Sequence, residues 1–185
     1  MASKRDWLEA GLEVLSEEGA PALTIERLCA HLNLTKGSFY HHFGGMARYK
    51  SDLLEHFESE HTGRYIDGAE SAGDSARAKL YHLLNLVLDD EDTDHALEIA
   101  VRAWALQDAE ARALQRRVDQ LRVDYLRSLW RELGGSEDDA GPMGRLLYLV
   151  LVGAQQVVPP VSAGELKEIY ALALRLAPQE KRRSE

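Results

Sequence analysis

Thr35, Lys36, Gly37 and Ser38 stand in a row, followed about one helical turn later by Tyr40 and His41. At the start of a helix these residue types suit phosphate. The helix offers unpaired backbone N–H groups, the two hydroxyls and the Lys36 ammonium add donors, and Gly37 removes a side chain where a backbone and a polyanion would collide. The Tyr40 phenol is a further phosphate donor, and the His41 imidazole can meet a base edge. From Arg27 to Lys50 there is no Asp or Glu, whereas Arg27, Lys36, Arg48 and Lys50 are cationic. The chain of 185 residues nonetheless has a formal net charge of −9. It is not coated in positive potential, so contact with nucleic acid has to be local and specific in geometry. Ordinary helix caps in a small bundle would use the same Thr and Ser residues. The acid-free window favours a polyanion, because a solvated helical face in an acidic protein would normally carry Glu or Asp.

The elements that position these residues are helices. Apolar residues recur at the 3.6-residue period in almost every segment, and no series of alternating strands bounded by turns is found, so the fold class is all-α. Ser3 and Asp6 form a capping box for a first helix ending at Glu18, with a stripe of Leu8, Leu12 and Leu15 and with Gly19 and Pro21 at its end. Thr24 caps a second helix and Thr35 a third, each with a hydrophobic staple, Leu23 with Leu28 and Leu34 with Phe39. Asn33 falls where the short turn between them needs a left-handed backbone. The pattern is a helix-turn-helix. A fourth helix is expected from about Met46 to Ile66. Gly63, Gly68 and Gly73 then loosen the chain ahead of helices over 75–90, 94–107, 109–133, 142–158 and 163–177, the last opened by a Ser162/Glu165 capping box after Pro159-Pro160. About nine helices result, divided into a three-helix head over 1–45 and a C-terminal core over 46–185 that includes the connecting helix. The basic tail Lys181-Arg182-Arg183 reads as a frayed, solvated end.

Composition narrows the function. With 45% hydrophobic residues the chain can build a core, and its single Cys29 excludes an internal disulfide. The longest apolar run, Leu146 to Val158, contains Gln155 and Gln156 and is too short for a bilayer of about 30 Å. No membrane partner is expected, and with no signal-like N-terminus the location is read as cytoplasmic. Adjacent His41 and His42 point about 100° apart on a helix, and neither they nor His31 have a carboxylate or thiol at ligand spacing, so no metal and no cofactor is expected. A Gly-rich phosphate loop after a strand and a nucleophile–base arrangement are both missing, so the chain is not read as an enzyme. Two alternatives stay open: a helical protein-binding adaptor without DNA binding, and a helical enzyme without a sequence signal.

The run from Leu28 to Phe43, LCAHLNLTKGSFYHHF, closely resembles the DNA-binding signature of TetR-family transcriptional regulators. That signature has an aliphatic-Ala start, a Gly-Val-Ser turn and a Lys-Gly-Thr-Leu-Tyr-x-His-Phe run. The resemblance implies a dimeric regulator acting on a palindromic DNA operator.

 

In that reading the chain is a ligand-responsive repressor. Carried over by position, Thr35, Lys36, Ser38, Tyr40 and His41 face double-stranded DNA, Gly37 admits its backbone, and Thr24 touches phosphate from the second helix. Leu28, Leu32, Leu34, Phe39 and Phe43 hold the head together, and His42 packs or caps. Two positions depart from the signature. Asn33 replaces the turn Gly, a mild change because both accept positive φ. Met46 stands where the family has a phosphate-gripping Lys, so either that contact is lost or Arg48 and Lys50 take it over.

The resemblance also implies a core that dimerises through its last two long helices and encloses a pocket for a small-molecule effector. In Leu146 to Ala154 apolar residues go all the way round the helix, so burial on two sides is expected, one against its own core and one against a partner. Leu147, Val150, Leu151 and Ala154, with the stripe Ile169, Leu172, Ala173 and Leu176, are the candidate homodimer interface. A helix buried within a monomer would show the same pattern. For the pocket the candidates are the aromatic or polar groups Tyr81, His82, Asn85, Trp104, Gln107, Tyr125 and Trp130 on otherwise apolar helices. Trp104 continues Leu97 and Val101 at helical spacing, and Tyr125 continues Leu114, Val118 and Leu121, so core packing is their other reading.

Overall fold

Ser3 opens the first helix through a reciprocal capping box. Its hydroxyl accepts the Asp6 N–H at 3.2 Å, and the Asp6 carboxylate accepts the Ser3 N–H at 2.7 Å. Helix α1 (Lys4–Glu18) ends at Gly19, whose φ of +81° favours glycine, and a short 3₁₀ turn, Ala20–Ala22, follows. Helices α2 (Ile25–Leu32) and α3 (Lys36–Phe43) are capped by Thr24 and Thr35, whose hydroxyls accept the N–H groups of Arg27 at 3.1 Å and Ser38 at 3.3 Å. Between them Asn33 sits in the left-handed region at φ 53°, ψ 46°. The helix-turn-helix expected from the capping residues is therefore formed. The computed structural model describes residues 2–73, 75–89 and 93–176, and the Lys181-Arg182-Arg183 tail lies outside the described residues.

Helix α4 (Met46–Glu58) runs into a wider π-type turn, Ser59–Gly63, and then α5 (Arg64–Glu70). Helices α6 (Ala76–Asp89), α7 (Thr93–Ala105), α8 (Ala109–Glu132), α9 (Glu137–Gln156) and α10 (Ala163–Leu174) complete an all-α chain with no strand among the described residues. Counting Met46–Glu70 as one interrupted helix gives nine helices among the described residues.

Two boundaries differ from expectation. Gly68 does not loosen the chain but lies inside α5, where a Cβ would come 2.7 Å from Leu86 Cδ1, so the glycine lets α5 and α6 approach closely. Helix α9 begins at Glu137 rather than 142. Ser136 accepts the Asp139 N–H at 3.0 Å, and Glu137, Asp138 and Asp139 place negative charge in the first turn, where the helix dipole favours it. Pro142 then forfeits one backbone bond near the helix start, which costs less than a proline deep inside.

Packing divides the chain into two compact units, Met1–Gly63 with Glu91–Val118, and Arg64–Asp90 with Asp119–Glu185. The first holds α1 to α4, α7 and the beginning of α8. Its core is aromatic: Trp7, Phe39, Tyr49 and Phe57 are almost wholly buried, Trp7 meets Phe39 edge to face at 5.5 Å, and the Tyr49 hydroxyl donates to the Trp7 carbonyl at 2.9 Å. Burial pushes the Tyr49 hydroxyl pKa up. Leu97, Val101 and Trp104 bring α7 into the same core.

The second unit centres on Leu129, Trp130, Leu147 and Leu174. At Gly144 a Cβ would stand 2.8 Å from the Arg127 backbone nitrogen, so α9 crosses α8 at a distance that excludes a side chain. No helix among the described residues is long and apolar enough to cross a membrane.

Candidate nucleic-acid interface and interior cavity

Helix α3 is buried on one side only. Phe39 and Phe43, four residues apart, enter the core, while Lys36, Gly37, Tyr40 and His41 stay exposed on the other side. Ser38 is half-buried at the edge. Thr35 is exposed, and because its oxygen accepts from Ser38, its own hydrogen remains to be donated. The N–H groups of Lys36 and Gly37 belong to the first turn and lie too early for an intrahelical acceptor. Thr24, exposed at the start of α2, supplies a second capped terminus.

Gly37 separates the needs of the fold from the needs of a partner. A Cβ there would meet no atom nearer than Thr35 Oγ1 at 3.7 Å, an ordinary contact, and its φ lies outside the left-handed region. Ala would favour the helix by about 1 kcal/mol. Nothing within the chain asks for glycine at 37, whereas close approach of an external backbone would.

The cations of the window are held by acids at its borders. Lys36 forms an ion pair with Glu26, one residue outside the acid-free stretch, and their hydrogen bond lowers the Glu26 pKa and raises that of Lys36. Arg27 pairs with Glu18 at 2.6 Å, and His31 meets Glu13 at 2.7 Å. Arg48 is 70% exposed and reaches Asp52 at 3.0 Å, while Lys4 holds the other oxygen at 2.8 Å. Burial pushes the Asp52 carboxyl up, but Lys4 and Arg48 outweigh it and hold the group below its ordinary value.

Met46 packs partly buried against the first core, so the position expected to hold a phosphate-gripping Lys serves packing instead. Lys50 is half-buried, with its ammonium 5.7 Å from the centroid of the Trp104 ring. Of the two candidates for the missing Lys contact, Arg48 is on the open surface and Lys50 lies against Trp104 of α7. A ring nitrogen of His42 lies 3.1 Å from the Ala2 carbonyl oxygen, in keeping with a packing role.

Residues 8–48 match the family model of bacterial regulatory proteins of the tetR family. This segment is that of the TetR family, whose helix-turn-helix marks a DNA-binding transcriptional regulator. Solved structures share the fold over nearly the whole length. NemR of Escherichia coli in its reduced form is 16% identical, with 96% of this chain and 99% of that one covered at a TM-score of 0.81. A Saccharomonospora viridis protein described as a transcriptional regulator, solved in complex with choline, is 16% identical with 96% and 98% covered and a TM-score of 0.78. A TetR transcription regulator from Haloarcula marismortui is 18% identical with 94% and 95% covered and a TM-score of 0.74. No curated protein matches the chain in sequence.

The second unit contains a cavity with about 490 Å³ of atom-free space, part of it open to solvent. Helix α6 supplies Leu80, Leu83, Leu84 and Val87. Leu126 comes from α8, and Leu147, Tyr148 and Leu151 come from α9. Tyr170 and Leu174 of α10 complete the described wall. None of the seven sequence candidates is among these residues. Tyr81 and Asn85 are exposed and His82 is half-buried on α6, off the stripe that lines the cavity. Trp104 is buried in the first unit and Gln107 is exposed there. Trp130 is buried in the second core, and Tyr125 donates to Glu70 at 2.8 Å. The cavity follows the aliphatic stripe of α6 and not its polar handles.

The α9 and α10 surfaces also differ in phase from expectation. Leu147 and Ala154 are buried within their own unit, and Leu151 lines the cavity. Leu146, Leu149, Gly153 and Val157 are exposed instead, with Val150 half-buried among them. On α10, Ile169, Leu172 and Leu176 are exposed and Ala173 is half-buried.

Proposed function

We propose that this regulator is a repressor that acts as a homodimer on a palindromic operator and lets go when a small molecule occupies the cavity of its second unit. Two copies of α3 enter successive major grooves about 34–36 Å apart. Thr24, Thr35, Lys36, Ser38, Tyr40, His41 and Arg48 meet DNA, and Gly37 lets the backbone close on it. The open side of α3 carries this reading: a glycine that the fold does not need stands among exposed phosphate donors. Residues 1–45 form the DNA-binding part and 46–185 the effector-binding and dimerisation part, in the cytoplasm. The exposed apolar residues of α9 and α10 form the interface, in the phase centred on Leu149 and Leu172 rather than Leu147 and Ala154. The choline complex of the Saccharomonospora viridis protein supports a small effector in this fold. Release requires the ligand to favour a non-binding conformation, typically by about 1–3 kcal/mol.

Selection of bound sequences from random duplex DNA tests the whole reading. Two inverted half-sites about one helical turn apart are expected. Enrichment of a single half-site would remove the dimer, and no enrichment would remove operator recognition.

Gly37→Ala separates binding from folding. Stability should hold or rise by up to about 1 kcal/mol, while operator affinity falls at least about tenfold, or roughly 1.4 kcal/mol. Wild-type affinity in this variant would show that no backbone approaches Gly37.

Lys36 and Glu26 are tested together by salt titration. Lys36→Ala should reduce the slope of log affinity against log salt by about 1. Glu26→Gln should act in the other direction, tightening binding about threefold at low salt by removing a carboxylate that competes with phosphate. Unchanged slopes and affinities in both variants would place Lys36 away from DNA.

A further inference from the structure

We infer that the effector is a neutral molecule, mainly alkyl or aryl, and not an organic ion; this rests on the proposal that the cavity of the second unit is the effector site. The described wall consists of eight aliphatic side chains and two tyrosines. The hydrogens of both phenols are already used within the protein. Tyr170 donates to the Leu147 carbonyl at 2.8 Å, and Tyr148 donates to Asp119 at 2.6 Å while accepting an Arg122 N–H at 3.4 Å. A bound carboxylate would need donors, and both phenol hydrogens are committed. A bound ammonium would need a carboxylate, yet none is among the described wall residues and Asp119 already accepts from Tyr148. An ion would thus leave water without a partner, a penalty that grows far beyond that of an unpaired neutral group. The Tyr170 oxygen keeps accepting capacity for one ligand hydroxyl.

The space, part of it open to solvent, is bounded by both covered and partly open positions. Leu80, Leu147, Tyr148 and Leu174 are buried, whereas Leu83, Leu84 and Val87 of α6, Leu151 of α9 and Tyr170 of α10 are half-buried.

The test uses the full chain and N-phenyl-1-naphthylamine, a neutral fluorophore that brightens in apolar surroundings. Three ligands with the same tail, 1-octanol, octanoate and octyltrimethylammonium, compete below their micelle concentrations. 1-Octanol should displace the probe, and both ions should do so at least about a hundredfold more weakly. Among shorter alcohols each added methylene should strengthen binding about fourfold. Val87→Phe and Leu151→Phe, each filling the cavity from a half-buried wall position, should each weaken the probe at least about tenfold with unchanged circular dichroism and melting. If an ion competes as well as 1-octanol and both fillings block it, the ligand class is overturned while the effector site stands. If the probe binds but ignores both fillings, it sits elsewhere and the inference falls. If neither the probe nor any octyl compound binds, the effector site itself falls. Binding of 1-octanol that leaves operator affinity unchanged supports the ligand class and removes the regulatory reading instead.

Discussion

Leu149→Glu combined with Leu172→Glu turns the regulator into a folded monomer that no longer holds its operator at concentrations saturating for the wild type. Leu149 is 57% exposed on α9 and Leu172 is 58% exposed on α10. In one copy of the chain both carboxylates therefore remain in water, and melting should change little. In a twofold interface each substitution enters twice, so four carboxylates would leave water without partners while four leucines lose their burial. Each leucine contributes about 1.5–3 kcal/mol when fully buried, and the carboxylates add several kcal/mol more, enough to dissociate an ordinary dimer. Operator binding follows, because a monomer engages one half-site alone. Leu147→Glu is the contrast: Leu147 is 0% exposed, so its carboxylate would enter the core and lower melting. Sedimentation velocity and melting distinguish the two. A double variant that sediments as the wild-type dimer would put the interface elsewhere, and a wild type that is monomeric at tens of micromolar would end the dimer proposal.

The features legible in the sequence are those written locally. Ser3, Thr24, Thr35 and Ser162 announce helix starts because a cap bonds a residue only three positions away. Asn33 marks the turn through its own backbone preference. The exposed side of α3 follows from the spacing of Phe39 and Phe43. Features set by distant partners were not legible. Lys50 meets Trp104 and Arg117 meets Glu58, pairs that no window of helical length contains. Helix α9 is apolar all round, so its sequence gives no phase, and packing against α8 at Gly144 fixes which leucines turn inward. On α6, Leu80, Leu83, Leu84 and Val87 stand at helical spacing, but nothing local says that they line a cavity. The polar handles of Tyr81, His82 and Asn85 stand off that stripe. The Glu26–Lys36 pair joins residues ten apart on two helices, and Glu26 lies one residue outside the acid-free window.

Gly11→Ala should destabilise the first unit by about 2–4 kcal/mol, although alanine favours a helix over glycine by about 1 kcal/mol. The added Cβ would stand 1.9 Å from Tyr49 Oη and 3.0 Å from both Tyr49 Cζ and Leu53 Cδ1. Tyr49 has little room to retreat: it is 0% exposed, its ring lies 5.3 Å from that of Phe39 and 4.9 Å from that of Phe43, and its hydroxyl is tied to the Trp7 carbonyl. Tyr49→Phe alone loses that hydrogen bond, at a cost of about 1 kcal/mol. The double variant removes the clashing oxygen and leaves a shift of a few tenths of an ångström to relieve the ring carbon. Its loss should therefore fall short of the sum of the single losses by about 1–2 kcal/mol. Helices α1 and α4 carry this contact and pack in the same core as Phe39 of α3, so operator binding should fall with the folded fraction in Gly11→Ala and recover in part in the double variant. Urea unfolding and operator titration of the three variants measure both effects. Strict additivity would show that the approach of α1 to α4 at Gly11 does not hold the DNA-reading helix in place.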